Sequence, residues 1–208
     1  MHIPDGFLTA EIWGLMWVVT CIVMAVAFRK TTKQLGDKQI PLMGVLAAFI
    51  FAAQMVNVPV LGGTSGHFLG GVMAAVFLGP YTASIIMAAV FFVQAILFQD
   101  GGLTALGANI FNMGLLGVFI GYCIFIILKK ASKNIFISAG VASWFAIMLA
   151  ATATSLELAA SGTSPLALVL PAMLLIHAIV GVIEAAITMG VIGLVMKARP
   201  DLLELEKV

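Results

Sequence analysis

The sequence predicts an all-α integral membrane protein, a bundle of seven helices, and three observations carry that reading. Of 208 residues, 62% are hydrophobic and 9% charged, whereas soluble chains average about 45–50% apolar and about 25% charged. The apolar residues stand in long runs of the length that a bilayer demands, about 20 residues at about 1.5 Å of rise each. Finally, a seven-span topology gathers all ten Lys and Arg on one side of the membrane.

The predicted spans are 12–28, 40–58, 67–79, 81–98, 107–128, 135–156 and 168–196. The third is short enough to be a re-entrant hairpin instead. The last is long enough to tilt or to begin outside the hydrocarbon, with Pro171 suited to its first turn. Seven spans place Arg29, Lys30, Lys33 and Lys38, then Lys129, Lys130 and Lys133, then Lys197, Arg199 and Lys207 together, which makes that side cytoplasmic. A re-entrant third segment would carry Lys129, Lys130 and Lys133 outside. Seven spans are therefore kept, with the N-terminus outside and the C-terminus cytoplasmic, in a single transmembrane domain over 1–208 with no internal repeat.

The same composition excludes several functions. A formal charge of +1 offers no basic surface to nucleic acid. Cys21 and Cys123 both sit in apolar runs, so neither a disulfide scaffold nor a cysteine metal cluster is expected. No Lys or Arg precedes Arg29, so a cleavable signal peptide is not expected either.

Polar residues are concentrated toward the outer leaflet: Gln54 and Asn57, His67, Gln94 and Gln99, Asn109 and Asn112, and Thr152, Thr154 and Ser155. Singly, each is explained by a hydrogen bond between helices. As a set on one side they favour an outward-facing polar pocket, because polar groups in lipid are costly unless paired inside the bundle.

The first two residues suggest what the pocket holds. Met1-His2 offers three nitrogens on adjacent atoms: the terminal amine, the His2 amide and the His2 imidazole. Amine and amide close a five-membered ring on a cation, and amide and Nδ1 close a six-membered one. Planar nitrogen donors of this kind suit Ni(II) or Cu(II). Histidine is bulky for a second residue, so Met1 is expected to be retained. His67, in the glycine-rich run Gly62-Gly63-Thr64-Ser65-Gly66-His67, sits at the outer boundary and could supply the fourth planar nitrogen. Asp5 admits two readings: it bonds a coordinated imidazole from behind, or it caps the Pro4-Asp5-Gly6 turn. His177 and Glu184 lie seven apart on one face of the last helix and read as pocket wall or packing, with Glu184 too far inward to be a ligand. The Asp100-Gly101-Gly102 run reads as an outer turn whose Gln99 and Asp100 could line an entrance. Asp5, Asn57, Thr64, Ser65, Gln94, Gln99, Asn109 and His177 are thus the supporting and lining candidates.

Four motifs then carry a resemblance over essentially the whole chain: Met-His-Ile-Pro-Asp-Gly-Phe-Leu at 1–8, Gly-Gly-Thr-Ser-Gly-His-Phe at 62–68, Phe-Gln-Asp-Gly-Gly-Leu-Thr-Ala-Leu-Gly-Ala-Asn at 98–109 and His-Ala-Ile-Val-Gly at 177–181. The sequence resembles the substrate-binding (S) component of energy-coupling-factor (ECF) nickel and cobalt transporters, the NikM/CbiM family. The resemblance implies an S-component fold with an extra N-terminal helix that delivers the terminus into the pocket, and metal ligation at Met1, His2 and His67. It also implies a multi-pass protein of a prokaryotic cell (inner) membrane. Its partners would be a transmembrane coupling (T) protein, two ATPase subunits and a small accessory membrane protein.

The expected function is capture of Ni(II), or alternatively Co(II) for cobalamin synthesis, as substrate for ATP-driven uptake. The chain has no Gly-Lys dipeptide and hence no Walker-type phosphate loop, so partners must hydrolyse the ATP. A metal-dependent intramembrane enzyme is the distant alternative; it would need an open coordination site, and no His-Glu-x-x-His occurs. A passive channel would need polar residues along its full depth, whereas the inner half is almost wholly apolar.

Overall fold

The computed structural model describes residues 1–34, 36, 39–60 and 64–199, without the side chains of Gln34, Val58 and Thr64. Lys38, Lys207, Gly62, Gly63 and the Thr64 side chain therefore lie outside the described residues. Seven α-helical segments and one small hairpin follow in order: α1 (Ala10–Gln34), α2 (Gln39–Gln54), β1 (Asn57–Val60), β2 (Thr64–His67), α3 (Gly71–Phe98), α4 (Leu106–Asn109), α5 (Gly117–Ser132), α6 (Ile135–Ala160) and α7 (Leu166–Ala198). A π-helical stretch, Ile110–Leu116, joins α4 to α5, so that Leu106–Ser132 is one continuous apolar helix. Among the described residues five helices are long and apolar enough to cross a membrane, and Gln39–Gln54 is a shorter apolar one.

Two boundaries differ from the expected spans. The run 40–58 is helical only to Gln54, and His67 belongs to a strand rather than to the start of a helix. β1 and β2 pair antiparallel with Asn57 opposite His67. Pro59, which has no N–H, and Gly66 both disfavour a helix there. Hydropathy runs on from α2 into β1, because Val58, Pro59 and Val60 extend its apolar stretch.

α3 is not one rod. A straight helix of 28 residues would separate its ends by about 42 Å at about 1.5 Å per residue. Yet His67, just before it, stacks on the His2 ring, and Asp100, just after it, bonds the same ring. The chain therefore doubles back, and it does so at Gly79, whose φ of 76° and ψ of 162° break the helix ahead of Pro80. Only glycine adopts that conformation readily, and a proline at the next position cannot extend the preceding turn's hydrogen bonding.

Inside the bundle the helices meet on small residues, with buried polar groups among them. On α6 the fully buried face is Ala139, Ala142, Ala146 and Ala150, at helical spacing, and it lets α5 and α7 approach closely. Leu168, Leu175, Ile179 and Val182 on α7 are exposed, as a lipid-facing surface allows. Asn134 caps α6, its Oδ1 accepting from the Phe136 and Ile137 N–H groups at 2.9 and 3.1 Å, which satisfies two otherwise orphaned donors.

Residues 1–9, the β1–β2 hairpin, the 99–105 turn and the 161–165 turn meet at one end of the bundle. α1 and α7 lead away from that end, and their far ends carry Arg29, Lys30, Lys33, Lys197 and Arg199; the far α5–α6 turn adds Lys129, Lys130 and Lys133.

Candidate metal centre

The N-terminal segment is a buried strap rather than a loose tail. Met1 is fully buried and His2 is 4% exposed. The terminal amine donates to the Ser65 carbonyl and lies 3.3 Å from Ser65 Oγ. Asn109 holds Ile3 at both its N–H and its C=O, and Gly102 N–H donates to the same carbonyl at 2.9 Å. Asp5 accepts from Leu103 N–H at 3.0 Å, Thr104 N–H at 2.7 Å and the Thr104 hydroxyl at 2.5 Å. Farther along, the Thr163 hydroxyl donates to the Phe7 carbonyl and Thr9 N–H donates to Ser161 Oγ. Glycines make the close approach possible: Gly101 has φ +95°, and a Cβ on Gly102 would collide with Asp5 main-chain nitrogen and carboxylate.

The strap brings His2 onto His67. Their rings stack with centroids 4.5 Å apart and planes 16° apart, and Phe91 closes one side edge-on at 5.4 Å. His67 Nδ1 is 2.7 Å from the Phe68 carbonyl. A carbonyl only accepts, so the proton sits on Nδ1 and the lone pair on Nε2. That Nε2 is buried and has no hydrogen-bond partner among the described residues. His2 Nδ1 lies 3.3 Å from Asp100 Oδ1, and Gln94 also reaches His2.

Burial keeps these donors neutral. Desolvation holds the Met1 amine down at about 4, against the opposing pull of the Asp100 carboxylate. It likewise pushes His2 below its ordinary value, although the Asp100 hydrogen bond pulls upward. Burial would raise Asp100, but the His2 hydrogen bond and charge outweigh it and hold the carboxyl below the usual range. Asp5 is held low in the same way, burial being outweighed by the Thr104 and Leu103 donors. A neutral amine carries a free lone pair, which a cation requires, whereas His2 Nδ1, facing the Asp100 carboxylate, is a donor and must give up its proton before it can bind one.

Among the described residues no three His, Cys, Asp or Glu side chains gather as a metal cage.

The supporting candidates divide. Ser65, Gln94 and Asn109 sit against Met1, His2 and Ile3 respectively. His177 donates from Nδ1 to the Met173 carbonyl at 2.7 Å and lies near the Ser65 main chain, so it stands behind the amine. Asp5 caps the 103–104 turn, whereas the carboxylate against an imidazole is that of Asp100. Asn57 is exposed on β1, and Gln99, exposed with φ 54°, terminates α3. Asn57 faces His67 across the ladder through its main chain, and Gln99 lines a surface groove with Pro4 and Asp5. Asn112 bonds Thr154 and Glu157, while Thr152 and Ser155 bond their own helix. The polar set is thus part pocket and part ordinary packing.

Sequence reasoning underrated two carboxylates. Asp100 reads in the sequence as a turn residue that could line an entrance, not as a partner of His2, and its glycine neighbours, which admit the strap, are the available signal. Glu184 is fully buried and takes both main-chain N–H groups of Leu69 and Gly70, a pairing that sequence spacing does not encode.

A polytopic helical membrane protein with a buried, nitrogen-rich N-terminal pocket belongs to the class of transition-metal transport proteins, and the comparisons with known proteins agree. The sequence profile of the CbiM family, described as the cobalt uptake substrate-specific transmembrane region, matches residues 2–202, and the chain belongs to that family. A provisionally named fused nickel transport protein NikMN of Archaeoglobus fulgidus is 41% identical over 206 residues, covering 98% of this chain and 68% of that protein. A provisionally named cobalt transport protein CbiM of Methanosarcina barkeri is 32% identical over 161 residues, covering 76% of this chain and 70% of that protein. The crystal structure of a truncated transition-metal transporter superposes with a TM-score of 0.91 at 35% identity, over 95% of this chain and 99% of the other.

Proposed function

We propose that the chain captures Ni(II) on the outer face of a prokaryotic cell membrane as the substrate-specific component of an ATP-driven ECF transporter. The Met1 amine, the deprotonated His2 amide, the His2 imidazole and the His67 imidazole form the planar donor set. The observation that carries this is the terminal amine, fully buried on the Ser65 carbonyl beside two stacked imidazoles. An N-terminus has no structural reason to be drawn into a bundle's interior at the cost of its hydration, and three chelating nitrogens supply one.

The topology follows the charges. The strap end faces outward and the end bearing Lys129, Lys130, Lys133, Lys197 and Arg199 faces the cytoplasm. Counting α3 as two legs about Gly79 gives seven membrane segments. ATP hydrolysis falls to two partner ATPases acting through a transmembrane coupling protein, with a small accessory membrane protein alongside. Nickel is preferred to cobalt because four nitrogens in a plane match low-spin Ni(II); cobalt uptake by the same donors is the second reading, favoured by the cobalt-transport name of the Methanosarcina barkeri relative.

The test is the metal content and spectrum of the protein purified with a free Met1. One nickel per chain, yellow and diamagnetic, is expected. A green, paramagnetic six-coordinate nickel, or equal binding by the His2→Ala variant in calorimetry, overturns the donor set.

A further inference from the structure

We propose that Glu184 is the positioning residue for His67, acting through the Phe68–Leu69 peptide group. The inference rests on the four-nitrogen reading and adds to it a residue on a different helix.

One planar amide stands between the imidazole and the carboxylate. Its carbonyl, that of Phe68, accepts from His67 Nδ1 at 2.7 Å. Its N–H, that of Leu69, donates to Glu184 Oε2 at 2.6 Å. The other carboxylate oxygen, Oε1, takes the next N–H, that of Gly70, at 2.8 Å. The peptide is rigid, so fixing its N–H end fixes the direction of its carbonyl end and with it the His67 ring. A carboxylate on the N–H also polarises the carbonyl toward its own donor, since chained hydrogen bonds strengthen one another in a low dielectric. The proton is thereby held on Nδ1 and the lone pair on Nε2. Metal-binding histidines commonly lean on a carboxylate to set tautomer and basicity; here one amide is interposed.

The surroundings say that this clamp is a built feature. Glu184 is fully buried on α7, where an ionisable side chain is expensive. Leu69 C=O is held from the opposite side by Gln54 Nε2 at 2.7 Å, and Gln54 Oε1 accepts from Gln94 Nε2 at 3.1 Å. Gly70, at φ +82°, has no room for a Cβ, which would stand 2.8 Å from Ile50. Capping the first turn of α3 alone would need one short hydroxyl on the preceding loop, not a carboxylate reaching from another helix.

The experiment loads Cu(II), as a paramagnetic probe, and Ni(II) into full-length protein with a free Met1. Wild type is expected to show four coordinated nitrogens, and His67→Ala three. Glu184→Gln keeps the size of the side chain but offers one acceptor oxygen in place of two. It is expected to give the His67→Ala spectrum with a Ni(II) affinity about 10- to 100-fold weaker, and His2→Ala to lose the chelate altogether. A Glu184→Gln spectrum identical to wild type, beside an altered His67→Ala, overturns the positioning role and leaves the four-nitrogen reading intact. A wild type without four nitrogens overturns that reading itself, and the positioning role with it. Should Glu184→Gln fail to fold, hydrogen exchange on wild type decides: Leu69 and Gly70 amides as protected as the α3 core support the clamp, and exchange as fast as an open loop overturns it.

Discussion

The side chain of Asn109 grips Ile3 from both directions: its Oδ1 accepts the Ile3 N–H at 2.8 Å and its Nδ2 donates to the Ile3 carbonyl at 3.1 Å. This amide-to-backbone pairing, 106 residues apart in sequence, is what a strand partner would otherwise provide. Leucine, of nearly equal volume, makes neither bond and leaves a buried N–H unsatisfied, at a cost of about 1–3 kcal/mol. Asn109→Leu is therefore expected to release the strap while the helices persist. Thermal unfolding should shift modestly and nickel affinity should fall sharply in calorimetry. Unchanged affinity would mean that the chelate forms without the strap.

Gly102→Ala tests the same strap from its other edge. The added Cβ would collide with main chain as well as with the Asp5 carboxylate, so no rotamer change relieves it. The segment must lift, breaking the Gly102–Ile3 and Thr104–Asp5 hydrogen bonds. Hydrogen exchange of residues 1–8 should accelerate in the variant. If it stays at the wild-type rate, the close approach is not the constraint claimed here.

Acidification should destabilise the metal-free protein, and the direction follows from the amine. Unfolded, Met1 N protonates below about 8; folded, it does so only near 4. The unfolded state binds the extra proton between those values, so this contribution is complete above pH 8 and is lost as pH falls toward 4, at up to about 1.4 kcal/mol per unit. His2, also depressed, adds loss in the same direction below 6.5. Asp5 and Asp100, held below their ordinary 3.8, act only in stronger acid. Thermal midpoints in detergent should fall from pH 8 to pH 7, a window in which the slope belongs to the amine, and a flat profile there would contradict its burial in a neutral state.

Hydropathy and the positions of Lys and Arg are local properties, which is why α6 and α7 are readable in the sequence within four residues at each end, while α1 runs six residues past its expected end into the charged stretch. The hairpin was not, because Val58, Pro59 and Val60 are as apolar as a helix and pairing with 64–67 is non-local. Met1, His2 and His67 stood out because their chemistry is written in identity and position. What supports them was harder to see. Asp5 and Asp100 are both carboxylates near turns at the same end of the bundle, and only the path of the strap sends Asp5 to Thr104 and Asp100 to His2. Likewise Glu184 looked remote from the rim because its depth was measured along α7, while the Leu69–Gly70 turn descends to meet it.

The sharpest prediction separates a backbone chelate from any site built on side chains. Insertion of one Leu between Met1 and His2 retains every original side chain and displaces the amine by about 3.5 Å of chain. A cage of histidine and carboxylate groups on a strap would tolerate that shift. The chelate cannot, because amine and imidazole no longer flank a single amide. Amine, two amides and imidazole then fill the plane by themselves, and His67 is left out. Such a chain still binds nickel, but its Cu(II) and Ni(II) spectra should become those of a free peptide and lose all dependence on His67→Ala. The lengthened terminus also has no place for its amine, since Ser65 is reached only when Met1 is the first residue. Nickel uptake by cells carrying the assembled transporter should collapse, as it should with an N-terminal tag, while a C-terminal tag leaves it intact. Normal uptake by the insertion variant, with its N-terminus verified by mass spectrometry, would remove the backbone chelate from the mechanism and leave His2 and His67 as side-chain ligands alone.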